Sequence, residues 1–93
     1  MSEERCAMQV RVTGLVQGVA FRAWTRREAE AMGLTGWVRN EADGSVAVLL
    51  AGEKASVDRM LHALRDGPAS ARVTGIHVQL AEPPTETGFR ILR

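Results

Sequence analysis

The sequence predicts an α+β fold in which two helices cover one face of an antiparallel sheet. Several segments alternate apolar and polar residues with the period of two that is typical of half-buried strands, and two others repeat apolar residues at helical spacing. Their order is strand, helix, strand, strand, helix, strand, with a short extra strand at the C-terminal end. Two strand-helix-strand units with right-handed crossovers place both helices on one face, which defines the ferredoxin-like sandwich. Because proteins of this fold have many different functions, the fold by itself does not indicate which reaction or ligand is involved.

Each element has its own signal in the sequence. The predicted elements are a strand at residues 8–13, a helix from Arg22 to Gly33, strands at 34–40 and 45–51, a helix at 54–65, and strands at 73–80 and 88–92. The first helix carries an apolar face, and Gly33 is suited to end it. Asp43-Gly44 supplies the hairpin turn between the second and third strands. Ser56 is a candidate N-cap of the second helix.

Length and composition limit the range of functions. The chain has 93 residues, 45% of them hydrophobic, which suits one compact domain over residues 1–93. Its 12 Lys and Arg residues nearly balance its 11 Asp and Glu residues, so the net charge of +1 favours neither nucleic acid nor a membrane surface as a partner. No apolar run could serve as a signal peptide or a membrane span, so we expect a cytoplasmic protein, and a monomer.

The strongest functional signal lies between the first strand and the first helix. Glycines at positions 14 and 18 allow conformations that a Cβ disfavours, so successive N–H groups can converge on one anion. The first turn of the helix adds unpaired N–H groups and a positive dipole end. Arg22 adds a positively charged guanidinium group, which can donate hydrogen bonds to two oxygens of a phosphoryl group. The common nucleotide-binding glycine patterns are absent, which favours a small phosphorylated compound over a nucleotide.

A second candidate segment ends the second strand at Asn40. The amide of Asn40 offers a donor and an acceptor without a charge, so it can orient a water beside a phosphoryl group held by Arg22. Asparagine before a turn is also ordinary turn chemistry, and this alternative stays open. In the predicted fold the first loop and the end of the second strand can lie side by side. Arg22 and Asn40 can therefore face the same anion.

Other chemistries have weaker support in the sequence. Cys6 has no partner cysteine, and no cluster of Asp, Glu, His and Cys has metal-ligand spacing, so we expect neither a metal nor another cofactor. His62 and His77 have no second ligand nearby in sequence. Trp24 and Trp37 are explained by packing, and the first and third strands lack the aromatic residues that RNA-binding proteins of this fold use.

The two motifs together resemble the signature of the acylphosphatases. They read Thr13-Gly14-x-Val16-Gln17-Gly18-Val19-x-Phe21-Arg22, then Ala29-x-x-x-Gly33-Leu34-x-Gly36-Trp37-Val38-Arg39-Asn40-x-x-Asp43-Gly44-x-Val46, and the similarity continues to Phe89 and Ile91. This resemblance implies metal-free hydrolysis of the carboxyl-phosphate bond of small acyl phosphates to carboxylate and inorganic phosphate. It implies that Arg22 binds the phosphate and that Asn40 orients the attacking water. The implied anion cradle is the backbone of Leu15, Val16, Gln17, Gly18, Val19 and Ala20.

Two positions depart from the commoner versions of this signature. Ala20 stands where many members carry glycine or an aromatic residue, and we expect it to be tolerated with a negative φ. Glu41 stands where a small or hydroxylated residue is frequent, and we expect its carboxylate beside Asn40 to lower the affinity for anionic substrates. The alternative function is a non-catalytic anion-binding or regulatory module, for example a domain of a carbamoyl-transferring maturation enzyme.

Overall fold

Five strands and two helices make up residues 4–93, the part of the chain that the computed structural model describes. The elements are β1 (Arg5–Leu15), α1 (Phe21–Ala31), β2 (Thr35–Asn40), β3 (Val46–Glu53), α2 (Lys54–Asp66), β4 (Arg72–Leu80) and β5 (Phe89–Ile91). Their order is the predicted βαββαβ order with a short final strand, and each bound lies within three residues of the predicted one. Local hydrophobic periodicity is therefore sufficient to place every element of this chain.

The strands form one sheet in the order β4-β1-β3-β2-β5. β1 pairs antiparallel with β3 and β4, and β2 pairs antiparallel with β3, as predicted. β5 instead pairs in parallel with β2, so the sheet is mixed, and the expectation of a wholly antiparallel sheet is wrong for this strand. An alternating pattern is the same in either chain direction, which is why the sequence did not reveal the orientation of β5.

Both helices pack on the same face of the sheet. Helix α1 covers β2 and β5, and α2 covers β1, β3 and β4. The predicted apolar face of α1 is inward, with Phe21, Thr25 and Ala29 buried. The core side chains of the sheet and of α2 include Val10, Val12, Val38, Val46, Val48, Leu50, Val57, Met60 and Leu64. Each of the larger ones contributes roughly 1.5–3 kcal/mol through burial, so one continuous core fixes both helices against the sheet.

The two helices end as the sequence predicts, but α2 does not begin as predicted. Gly33 follows the C-cap Met32 with a φ of 72°, the left-handed conformation that terminates α1. The N-cap of α2 is Glu53, which makes no side-chain capping bond, so the expectation that Ser56 is the cap is wrong. β3 runs directly into α2 at Lys54, which leaves Ser56 inside the first turn. Within residues 4–93, neither helix has the length and apolarity required to cross a membrane.

Candidate active site

The chain between β1 and α1 adopts backbone conformations that suit glycine. Gly14 has a φ of 123° and Gly18 a φ of 75°. A Cβ at Gly14 would lie 2.1 Å from the carbonyl oxygen of Arg72, so no side chain fits at this position. The pairing of β1 with β4 also shifts register between Thr13 and Gly14, because Thr74 of β4 is an extra residue between the partners of these two. The regular pairing of β1 is therefore interrupted just before the loop.

The loop and the first turn of α1 present a run of backbone donors. The N–H groups of residues 16–23 have no hydrogen-bond acceptor within residues 4–93. The first hydrogen bond of the helix runs from the N–H of Trp24 to the carbonyl of Ala20 at 3.1 Å. Unpaired N–H groups at a helix N-terminus coincide with the positive end of its dipole and bind anions. This segment has the chemistry of a phosphate cradle.

A pocket of about 470 Å³ joins this segment to the end of β2. Arg22 and Asn40 both line it, as do three residues of the loop and two near the C-terminal end: Val16, Gly18, Ala20, Ile91 and Arg93. The sequence-based hypothesis required Arg22 and Asn40 to face the same anion, and their shared pocket supports it. Leu15, Gln17 and Val19 do not line the pocket. The pocket lining therefore gives no support to these three members of the predicted cradle.

The polar groups of Arg22 and Asn40 have few partners within the described residues. Arg22 Nη1 donates to the carbonyl oxygen of Leu92 at 3.5 Å, and no carboxylate of residues 4–93 forms an ion pair with this guanidinium. Asn40 Oδ1 is buried without a hydrogen-bond partner among these residues. An unpartnered buried polar atom costs about 1–3 kcal/mol, so the amide of Asn40 retains a hydrogen-bonding capacity that no contact among these residues uses.

Gln17 has a side-chain role that the sequence did not reveal. Its Nε2 donates to the carbonyl oxygens of Glu41 and Ser45, both at 2.8 Å. Both acceptors lie in the turn that follows Asn40, so Gln17 ties the loop to the β2–β3 turn. The two N–H donors of a primary amide match two acceptors, but no local pattern could indicate that the acceptors come from residues so distant in sequence.

Glu41 points away from the pocket that Arg22 and Asn40 share. Its carboxylate accepts a hydrogen bond from Arg39 Nε at 2.6 Å, and the Arg39 guanidinium stacks 4.7 Å from the centre of the Trp37 ring. Glu41 lines a separate groove on the face of the sheet that the helices leave open. Because a cation already neutralises this carboxylate, the structure does not support the expectation that it lowers the affinity for anions.

Asp43 fixes the turn that follows Asn40. Its Oδ1 accepts hydrogen bonds from the hydroxyl of Ser45 at 2.6 Å and from the backbone N–H of Ser45 at 2.9 Å. These hydrogen bonds, with a smaller contribution from the Arg11 guanidinium, hold the pKa of Asp43 below its usual value. The aspartate stays ionised at neutral pH, so the turn keeps the bonds that hold the end of β2 in place.

The remaining candidates lie outside this pocket. No group of three or more His, Cys, Asp or Glu side chains in the described part of the chain could hold a metal ion. His77 lines the groove on the open face of the sheet, remote from the anion pocket. Trp24 packs against Phe21 with ring centres 5.5 Å apart, so it has the packing role that the sequence predicts.

Ala20 has a strained backbone conformation. Its φ is 61° and its ψ is 25°, so the expectation of a negative φ is wrong. It is the one residue other than glycine in the described part of the chain with a positive φ. Ala20 is the N-cap of α1, and the turn into the helix imposes the left-handed conformation, which costs a residue with a Cβ about 1–2 kcal/mol.

Ala20→Gly is therefore expected to stabilise the fold. The gain from relieved strain exceeds the added entropy of glycine in the unfolded chain, so the free energy of unfolding rises by about 0.5–1 kcal/mol. Urea denaturation measures the change. Ala63→Gly, in the middle of α2, is the matched control and is expected to lower the free energy of unfolding by about 1 kcal/mol. A lower free energy of unfolding in both variants would show that Ala20 is not strained.

The fold and the pocket define a class of protein: a ferredoxin-like α+β domain with a pocket between the loop after β1 and the end of β2, lined by Arg22 and Asn40. The profile of the family described as Acylphosphatase matches residues 8–91. The chain belongs to the acylphosphatase family.

Individual relatives agree with this assignment over nearly their whole length. An acylphosphatase of Sinorhizobium medicae is 50% identical over 94 residues, covering 100% of both chains. An acylphosphatase of Alcanivorax borkumensis is 57% identical over 86 residues, covering 88% of this chain and 94% of that one. The solved acylphosphatase of Coxiella burnetii superposes with a TM-score of 0.90 at 34% identity, covering 95% of this chain and 93% of that one. The predicted family and fold class are confirmed.

Proposed function

We propose that this protein is an acylphosphatase that hydrolyses the carboxyl-phosphate bond of small acyl phosphates. The observation that carries the proposal is the single pocket lined by Arg22, Asn40 and the loop, in which a cation, backbone donors and an amide meet. The relatives named Acylphosphatase favour this function over the alternative of a non-catalytic anion-binding module. The products are the carboxylate and inorganic phosphate.

Binding the phosphoryl group is the first task of the site. The guanidinium of Arg22 and the N–H groups of residues 15–20 donate to the phosphoryl oxygens and stabilise the charge that develops on them in the transition state. Each preorganised donor contributes roughly 3 kcal/mol in sites of this kind. Because these groups are held in place before the substrate arrives, little reorganisation is needed at the moment of reaction.

Orienting the water is the second task. The oxygen of the Asn40 amide accepts a hydrogen bond from the water, whose own lone pair then faces phosphorus. The new P–O bond forms as the bond from phosphorus to the acyl oxygen breaks, and the carboxylate leaves with the bonding electrons. The protons of the water remain with the phosphate product and the solvent. Because a carboxylate leaves unaided, this reaction requires neither a general acid nor a metal ion.

The proposal also covers the domain organisation, the location and the partners of the protein. We propose a single domain over residues 1–93 that acts in the cytoplasm as a monomer, without a cofactor and without a nucleic-acid or membrane partner. The net charge of +1 and the presence of Arg22 in the pocket support a small anionic ligand.

Acetyl phosphate and glycerol phosphate distinguish the proposed reaction from general phosphatase activity. We expect rapid release of phosphate from acetyl phosphate and none above background from glycerol phosphate, because no acid in the pocket can protonate an alkoxide leaving group. The assay measures inorganic phosphate from both compounds under one set of conditions. Comparable rates would mean that the site contains an acid that this mechanism omits, and turnover of neither would favour the binding module.

A further inference from the structure

The anion loop receives a hydrogen bond from a distant segment. Ser70, in the connection between α2 and β4, donates from its hydroxyl to the carbonyl oxygen of Val19 at 3.0 Å. The connection itself is ordered by a turn in which the N–H of Ala71 donates to the carbonyl of Pro68 at 3.0 Å. Ser70 is exposed and does not line the pocket that contains Arg22. Any effect of Ser70 on an anion must therefore be transmitted through the peptide it contacts.

The orientation of the Val19–Ala20 peptide determines the direction in which the N–H of Ala20 points. In a trans peptide the carbonyl of one residue and the N–H of the next point in opposite directions. Ser70 draws the Val19 carbonyl toward the outside of the loop, so the N–H of Ala20 points the other way. Ala20 lines the anion pocket, and its N–H has no acceptor within residues 4–93. The orientation of this one peptide thus offers a donor to the anion.

Ala20 itself favours the opposite orientation. A rotation of the Val19–Ala20 peptide by half a turn changes the φ of Ala20 from its observed 61° to about −120° and leaves its ψ near 25°, so Ala20 exchanges the left-handed region for a negative φ that costs alanine less. The same rotation would point the Val19 carbonyl oxygen into the pocket, where it would repel an anion. The hydrogen bond from Ser70 opposes this rotation, and a hydrogen bond and a strained residue are of comparable energy.

We propose that Ser70 is a positioning residue that holds the Val19–Ala20 peptide with its N–H directed at the bound phosphoryl group. This inference rests on the proposed function for the identity of the ligand. It extends the site to a residue that touches neither substrate nor the reacting atoms. The strain at Ala20 makes the position sensitive to Ser70, because without the hydroxyl nothing among the described contacts offsets the preference of Ala20 for the rotated peptide.

The first test compares inorganic phosphate binding to the wild type and to Ser70→Ala. We expect Ser70→Ala to bind phosphate roughly threefold to tenfold more weakly, the loss that one neutral hydrogen bond can cause. The amide signal of Ala20, followed by NMR during the phosphate titration, is expected to shift less than in the wild type. Ser70→Thr keeps a hydroxyl and should retain the wild-type affinity. Ser56→Ala, which removes a hydroxyl within α2, is the matched control and should also bind normally.

The decisive test repeats the comparison in the Ala20→Gly background. Glycine is unstrained at a positive φ, so the rotated peptide loses its advantage and Ser70→Ala should weaken phosphate binding by less than about twofold. If Ser70→Ala weakened phosphate binding equally with alanine and with glycine at position 20, the proposal would be overturned, because Ser70 would then act by another route. Wild-type affinity in Ser70→Ala would overturn it as well.

Phosphate binding separates this proposal from the proposed function. A wild-type chain that binds phosphate but does not hydrolyse acetyl phosphate would refute the activity, while the Ser70 comparison would still give its own answer. A wild-type chain that binds no phosphate would refute both. Circular dichroism of each variant establishes that the fold is retained, which the exposed position of Ser70 favours.

Discussion

Arg22→Ala is expected to lower kcat/KM for acetyl phosphate by about a thousandfold or more, and to abolish inhibition by inorganic phosphate. The guanidinium of Arg22 lines the anion pocket and has no carboxylate partner among the described residues. We therefore expect the same group to bind substrate and product, so that its loss removes both interactions. Steady-state kinetics with phosphate as an inhibitor measures the two effects in one experiment.

Arg26→Ala is the matched control for the change in charge. Arg26 is exposed on the same helix and does not line the pocket, so its removal changes the net charge equally without removing a ligand. We expect near-normal kinetics for this variant. If Arg22→Ala retained both its turnover and its inhibition by phosphate, the pocket would be the wrong site.

Asn40→Ala is expected to separate turnover from binding. Orientation of the water matters in the transition state more than in the complex with phosphate, so kcat should fall by about a hundredfold to a thousandfold while phosphate inhibition changes little. Because Asn40 Oδ1 has no partner within residues 4–93, the substitution removes no protein contact of that atom, and the free energy of unfolding should stay nearly constant. Equal losses of turnover, phosphate affinity and stability would instead assign Asn40 a general structural role.

The fold could be predicted from the sequence, and the candidate site proposed from it, because their signals are local. The alternation of apolar and polar residues in β1 and β3 indicates which side chains are buried, and so does the apolar face of α1. Each element forms where its pattern predicts it. Arg22 and Asn40 stand at element ends, where side chains are not required for the core. The fold brings the two element ends together at one pocket. Local patterns do not predict this proximity, but the predicted topology does.

The features that the sequence did not reveal depend on contacts between distant segments. The parallel orientation of β5 depends on which edge of the sheet the chain reaches after β4. The positive φ of Ala20 depends on how the loop meets α1, and no neighbouring residue indicates it. The Gln17 bonds to the β2–β3 turn and the Ser70 bond to Val19 join segments that only the folded chain brings together. The contact between Glu41 and Arg39 is different, because the two residues are two positions apart, the spacing that places side chains on the same face of a strand.

The central claim is that a water positioned by Asn40 attacks phosphorus in the pocket that Arg22 shares. Hydrolysis of acetyl phosphate in water enriched in oxygen-18 tests it most directly, with the products analysed by mass spectrometry after a single turnover. We expect one heavy oxygen in the inorganic phosphate and none in the acetate, because the bond between phosphorus and the acyl oxygen breaks. Heavy oxygen in the acetate would show attack at the carbonyl carbon and would rule out attack at phosphorus.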